Sequence, residues 1–344
     1  MDIDSAALDP ALDAVDSTFS GVLTVDAGGR RLYARAAGLA DRGHRVPNAL
    51  DTRFQTASGC KVFTAAAALR LVQDGRLSLD DRLADRVDAE FPRFDPGVTL
   101  RHLLTHTAGI PDYWDEDGGQ DYADLWRERP MYRMESPRDF LPLFAAAPMR
   151  FAPGERFRYT DAGFVLLGLI VEAAGGLPFA RFVQEAVLAP AGMTDTGYFR
   201  LDRLPERCAQ AYVAEEDGAW RTNIYAVPVA GGPDGGAWTT AADMARFWDA
   251  LRGGRILDAE HAALLLAPQV ETPEEKRSTH YGLGVWLRVA DGEPVCHFVS
   301  GWDPGVAFLS AHHPGDGVVI TVLRNGNGPL WALHDAAAAA LGLP

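Results

Sequence analysis

Strand patterns crowd the two ends of this 344-residue chain and are missing from its middle. Gly21-Val-Leu-Thr-Val-Asp alternates, Ala27-Gly-Gly turns, and Arg31-Leu-Tyr-Ala-Arg-Ala returns, which predicts a hairpin. Further strands are predicted over 207–213, 281–289, 295–299, 306–310 and 318–323. Between about 98 and 187 the periodicity is helical. Short helices are predicted at 99–106 and 137–146, a long apolar one at 161–174 closed by Gly175-Gly176, and another at 178–188. Helices at 56–72, 240–252 and 329–341 complete the reading, and His312-His313, followed by Pro-Gly-Asp-Gly, reads as a turn. The simplest assembly is one sheet completed by both ends of the chain, with a helical subdomain inserted.

Composition narrows the function. Apolar residues make up 47% and charged residues 23%, so the chain is globular with a sizeable core. A net charge of −15 disfavours phosphate backbones and anionic lipid, so neither nucleic acid nor membrane is expected as a partner. Cys60, Cys208 and Cys296 are odd in number and far apart, and imply no disulfide framework or cysteine zinc site. The acidic start, Met1-Asp-Ile-Asp-Ser-Ala, lacks the apolar core of a secretory signal, and the longest apolar stretch, 164–171, is short of the roughly 20 residues of a membrane span. The expected address is the cytoplasm.

Lysine is rare, Lys61 and Lys276 against 30 arginines. Codon bias is the plain cause, yet Arg cannot release its proton in a protein and Lys can. Lys61 lies three residues after Ser58, in Ser58-Gly59-Cys60-Lys61, a pairing that chance produces about 0.05 times with nine Ser and two Lys. In a first helical turn both side chains face one way, with Ser58 at the positive end of the helix dipole. A buried Lys can then activate the hydroxyl as a nucleophile. The alternative is that Ser58 caps the helix while Lys61 reaches to water.

Three more segments bear on that choice: Leu103-Leu-Thr-His106-Thr107-Ala-Gly109, Pro153-Gly-Glu-Arg-Phe-Arg-Tyr159-Thr160-Asp161, and Val299-Ser300-Gly301-Trp302-Asp303-Pro304-Gly305. Leu188-Ala-Pro-Ala-Gly192-Met and Gly231-Gly-Pro-Asp-Gly-Gly236 add to them. Together with Ser58-x-x-Lys61, in this order over roughly 20–325, they resemble the serine β-lactamase-like hydrolases. That family comprises class C β-lactamases, penicillin-binding DD-peptidases, and their esterase and amidase relatives. The resemblance implies an α/β (α+β) β-lactamase/transpeptidase-like fold: an antiparallel sheet flanked by helices from 1–85 and 211–344, with an inserted helical subdomain at 86–210, together one catalytic domain. It implies Ser58 as the acylated nucleophile, with Lys61 and Tyr159 sharing its proton. Which of the two is the general base stays open. The backbone N–H groups of Ser58 and Trp302 correspond to the oxyanion hole.

Two departures from the family pattern matter. Asp161 stands where Asn is usual, and a carboxylate there would keep Lys61 protonated and shift the basic role to Tyr159. Val299, beside Gly301, stands where Lys or His is usual, so the cationic clamp for a substrate carboxylate is missing. His297 shares that strand face and is either a partial replacement or an ordinary strand histidine; alternation points Ser300 away. Tyr113-Trp114, leading the acidic 115–117, lines the cleft and selects substrates or else forms a solvated loop. His102 and His106 have zinc-ligand spacing but lack the Glu of a His-Glu-x-x-His motif, so no metal or cofactor is expected. The expected function is a serine hydrolase acting on small ester substrates, with amides or peptides as a second class. A β-lactamase, DD-peptidase or D-aminopeptidase is the alternative, followed by a non-catalytic binding protein on the same fold.

Overall fold

The computed structural model describes residues 5–114, 122–273 and 279–343. Strands β1 (Gly21–Ala27), β2 (Arg30–Ala37), β3 (Val270–Glu271), β4 (His280–Tyr281), β5 (Trp286–Ala290), β6 (Glu293–Asp303), β7 (Val306–His313) and β8 (Val318–Arg324) form one eight-stranded sheet. Their order is β2-β1-β8-β7-β6-β5-β4-β3, antiparallel throughout. The two ends of the chain do meet in it: Gly21 pairs with Arg324, and Ala27 with Val318.

The period of two along each strand separates two apolar layers. Leu23, Val25, Phe298, Leu309, Ile320 and Val322 face one layer, closed by helices α1 (Ser5–Val15) and α5 (Leu330–Ala339). Val22, Val299, Phe308, Val319 and Leu323 face the other. That second layer holds α2 (Lys61–Gln73), α3 (Asp161–Gly175) and α4 (Ala241–Arg252). The helical middle of the chain belongs to this same cluster through Leu103, Phe164 and Val187, so it shares the core of the sheet. Thr160 caps α3 by accepting from Gly163 N–H at 3.0 Å, and Gly176 ends it in the left-handed region. Among the described residues no single helix is long and apolar enough to cross a membrane.

Several expectations need correction. The strand expected at 207–213 is reduced to Tyr212–Ala214, paired with Trp220–Thr222 outside the main sheet. The predicted helix at 137–146 splits into a 3-10 turn, Pro137–Phe140, and one short helix, Leu141–Phe144. His312 and His313 do not turn. They end β7, both buried, and the Pro-Gly-Asp-Gly turn begins only after them. Burial in strand-to-helix packing keeps these imidazoles neutral: the His312 ring stacks on Trp248, that of His313 on His334.

Candidate active site

Ser58 lies in a single 3-10 turn, Ala57–Cys60, that runs directly into α2. The turn is held from two sides. Thr56 N–H donates to the Ala237 carbonyl at 2.8 Å, Gly236 N–H donates to the Ala57 carbonyl at 3.1 Å, and β6 presses from the other side. Ala57 takes φ +44°, a left-handed conformation that costs a non-glycine residue about 1–3 kcal/mol and aims the next residue out of the turn. Two glycines permit the close approach. A Cβ on Gly59 would lie 2.1 Å from the Phe308 ring. A Cβ on Gly301 would lie 2.1 Å from the Thr56 carbonyl oxygen and 2.8 Å from the amide nitrogens of Ser58 and Gly59.

The three-residue spacing predicted for Ser58 and Lys61 gives a direct contact. Lys61 Nζ donates to Ser58 Oγ at 3.1 Å, to Asp161 Oδ1 at 2.6 Å, and to the Asp234 carbonyl. Its three protons therefore have three acceptors, and at 3% exposure it does not reach to water. Burial alone would lower its pKa, but Asp161, Tyr159 and Asp234 outweigh that and hold it well above the ordinary lysine value. Tyr159 stands over the ammonium, its ring centroid 4.9 Å from Nζ, stacked on Trp286. Burial raises the Tyr159 hydroxyl pKa, with Lys61 and a hydrogen bond to Ser58 opposing. In the resting site Lys61 is thus an ammonium and Tyr159 a phenol.

β6 supplies the other wall. Its partner β5 pairs only as far as Trp286 opposite Phe298, so residues 299–303 are paired on the β7 side alone. That open edge borders the cleft. Asp303 opposite Val306 closes a two-residue hairpin, so by antiparallel alternation the Trp302 N–H points to the open edge, beside Ser58. This backbone arrangement suits an oxyanion hole.

The expectations for this strand are corrected. Val299 is 3% exposed and packed in the core, and it does not line the cleft. His297 lies away from the cleft as well: its Nε2 donates to the Leu266 carbonyl at 3.1 Å, and burial lowers its pKa to about 4. Ser300, expected to point away, does line the cleft. The parity of the strand was right; the cleft lies along its edge, so residues of both faces border it.

The cleft has a volume of about 490 Å³. Tyr113 and Trp114 line it, whereas the acidic 115–117 lie outside the described residues. The Tyr113 hydroxyl donates to the Asp234 carboxylate. Asp234 carried no signal in the sequence beyond its place in a run of glycines. Burial and Asp161 lift its carboxyl to about 6, with Lys61 opposing. Asp112, also missed, accepts from the N–H groups of Asp161 and Ala162 and so holds the start of α3. His102 and His106 do not converge. His102 closes a capping box with Thr99, while His106 accepts from Thr160 N–H at 3.2 Å and meets the Tyr281 hydroxyl at 3.1 Å. Among the described residues no group of three side chains is arranged to hold a metal.

Comparison with known proteins identifies relatives in sequence and in fold. Esterase EstB of Burkholderia gladioli is 38% identical over 235 residues, 61% of this chain and 56% of its own length. Penicillin-binding protein 4* of Bacillus subtilis is 32% identical over 68% of this chain and 52% of its own. The chain thus spans just over half the length of these two relatives. The crystal structure of a penicillin binding protein from Bacillus halodurans superposes with a TM-score of 0.90 at 43% identity, covering 98% of this chain and 100% of that one. The family model described as Beta-lactamase matches residues 11–343, a span that contains both walls of the cleft, and the chain belongs to that family.

Proposed function

We propose that the chain is a serine hydrolase working through a covalent acyl-enzyme, with small carboxylic esters as its main substrates and amides or peptides as a second class. The observation that carries this reading is the 3.1 Å contact between Lys61 Nζ and Ser58 Oγ, with Ser58 lining an open, aromatic-walled cleft. Ser58 Oγ attacks the carbonyl carbon, and charge on the carbonyl oxygen meets the N–H groups of Ser58 and Trp302. An ammonium with all three protons donated accepts none, so Tyr159 acts as the relay. Its oxygen takes the Ser58 proton as its own proton passes to the leaving-group oxygen. Lys61 favours the negative charge that builds on both oxygens in transit. Water then attacks the acyl carbon, and its proton returns through Tyr159 to Ser58 Oγ.

No Arg, Lys or His is among the described residues lining the cleft, so a substrate carboxylate finds no cationic partner. A charge-assisted hydrogen bond of that kind is worth roughly 1.5–3 kcal/mol, or about tenfold to a hundredfold in binding. Neutral esters are therefore favoured over penicillins. The second reading, a penicillin-binding DD-peptidase, draws on the 43% identity to the penicillin binding protein of Bacillus halodurans. A fluorophosphonate probe is expected to label the wild type and not Ser58→Ala, with nitrophenyl acetate turnover falling about 10³-fold or more in that variant. Substantial turnover by Ser58→Ala would sink the nucleophile assignment, and nitrocefin hydrolysis outpacing the ester would favour the second reading.

A further inference from the structure

We propose that the cleft selects substrates that carry a positive charge: esters with an ammonium group a few atoms from the scissile carbonyl, held by the Asp303 carboxylate against the Trp302 ring. The proposal rests on the acyl-enzyme reading above and adds the substrate class.

Three carboxyl groups line the cleft, those of Asp161, Asp234 and Asp303. Two are already engaged, Asp161 by Lys61 and Asp234 by the Tyr113 hydroxyl. Asp303 has no hydrogen-bond or ion-pair partner among the described residues. Burial together with Asp161 lifts its carboxyl to about 8, Lys61 opposes, and Asp234 adds to the rise. A bound cation favours the ionised carboxylate and offsets both the burial and the repulsion. Asp303 directly follows Trp302, whose N–H borders the reacting carbonyl, and consecutive Cα atoms lie about 3.8 Å apart. A charge held there sits close to the bond being cut.

The walls fit the same ligand. Trp302 is 59% exposed, and its ring stacks on no other ring among the described residues, although it borders the cleft. Trp114, Tyr122 and Trp286 line the same space. Aromatic faces attract ammonium groups, quaternary ones included, and repel carboxylates. An anionic substrate meets the same surfaces with the opposite sign.

The test compares acetylthiocholine with its neutral carbon isostere, 3,3-dimethylbutyl thioacetate, by release of the thiol. The wild type is expected to favour the cation in kcat/KM by about tenfold or more. In Asp303→Asn the ratio should fall to within about threefold of unity, and Asp303→Glu should restore part of it. Because the readout is a ratio within one variant, a general loss of activity cancels. A wild-type ratio near or below one overturns the proposal, as does a ratio unchanged in Asp303→Asn. If Ser58 takes the fluorophosphonate label but the cation has no advantage, only the substrate class fails. If there is no label and neither thioester turns over, the acyl-enzyme reading fails and this inference with it.

Discussion

Replacing Gly301 by Ala tests whether the cleft depends on backbone contact between β6 and the nucleophile turn. The added Cβ would lie 2.1 Å from the Thr56 carbonyl oxygen, where ordinary contact begins at 3.4 Å. All three nearest atoms are backbone, so no side chain can swing aside. The strand and the turn must part by more than 1 Å, and Trp302 N–H moves away from Ser58 N–H with them. Loss of one oxyanion donor costs about 10²–10³ in kcat, or about 2.7–4 kcal/mol of transition-state stabilisation. The expected result for Gly301→Ala is a fall of that size in kcat for nitrophenyl acetate, with slowed fluorophosphonate labelling. Pairing of β6 with β7 is untouched, so the circular dichroism spectrum should persist. Gly315→Ala is the matched control, since a Cβ there meets nothing within 4 Å. Turnover by Gly301→Ala within threefold of the wild type would refute the reasoning.

Two further outcomes follow from charge. In Asp161→Asn, Lys61 loses its 2.6 Å carboxylate partner and burial pulls its pKa down, so a new ionisation should enter the pH–rate profile of acylation on its alkaline side; superimposable profiles would remove Asp161 from the proton relay. His297, His312 and His313 have pKa values lowered by burial to about 4, 3 and 4, so between there and about 6.5 the unfolded chain binds more protons than the native one. The stability these histidines carry should be present above about pH 6.5 and reduced by about 2 kcal/mol each at pH 5, against the opposite trend of Asp234 and Asp303, whose raised carboxyls take up protons in the native state over the same range; the difference between wild type and His312→Phe in urea unfolding at pH 7 and 5 isolates it, and a slope unchanged in that variant would contradict the account.

What could be read in advance was local in sequence. Ser58 and Lys61 meet because a three-residue spacing on a helical turn dictates it, and Asp161 follows Tyr159 closely enough for its effect on Lys61 to be foreseen. The long strands and α3 carry regular periodicity over many residues and were equally plain. The misreadings concern properties that tertiary neighbours decide. Alternation along 297–301 has the right parity, but only the end of β5 at Trp286 reveals which part of β6 borders the cleft. β3 and β4 have two residues each, too few to show a period. α1 has Pro10 inside it, and its buried Leu8 and Leu12 gain meaning only once α5 packs beside it in the outer layer. The isolation of Asp303 is a fact about its surroundings and has no counterpart in the chain.

The sheet joins strands from the two ends of the chain, β1 beside β8, and this governs when the site comes into being. Ser58 and Gly301 are separated by 243 positions, and β1 must find β8 across a similar span. Closing a loop of that length carries a length-dependent entropy of about 5 kcal/mol, which no contact repays until the strands are in register. The helices around α3 form from near neighbours and bear no such burden. During synthesis at about 5–20 residues per second, Ser58 leaves the ribosome some ten seconds or more before Gly301 is made. Through that interval the hydroxyl and its lysine can already be side by side, yet the oxyanion donor of Trp302 does not exist. The nascent chain is chemically silent by construction, and competence arrives in one late event, the docking of β6 against the turn.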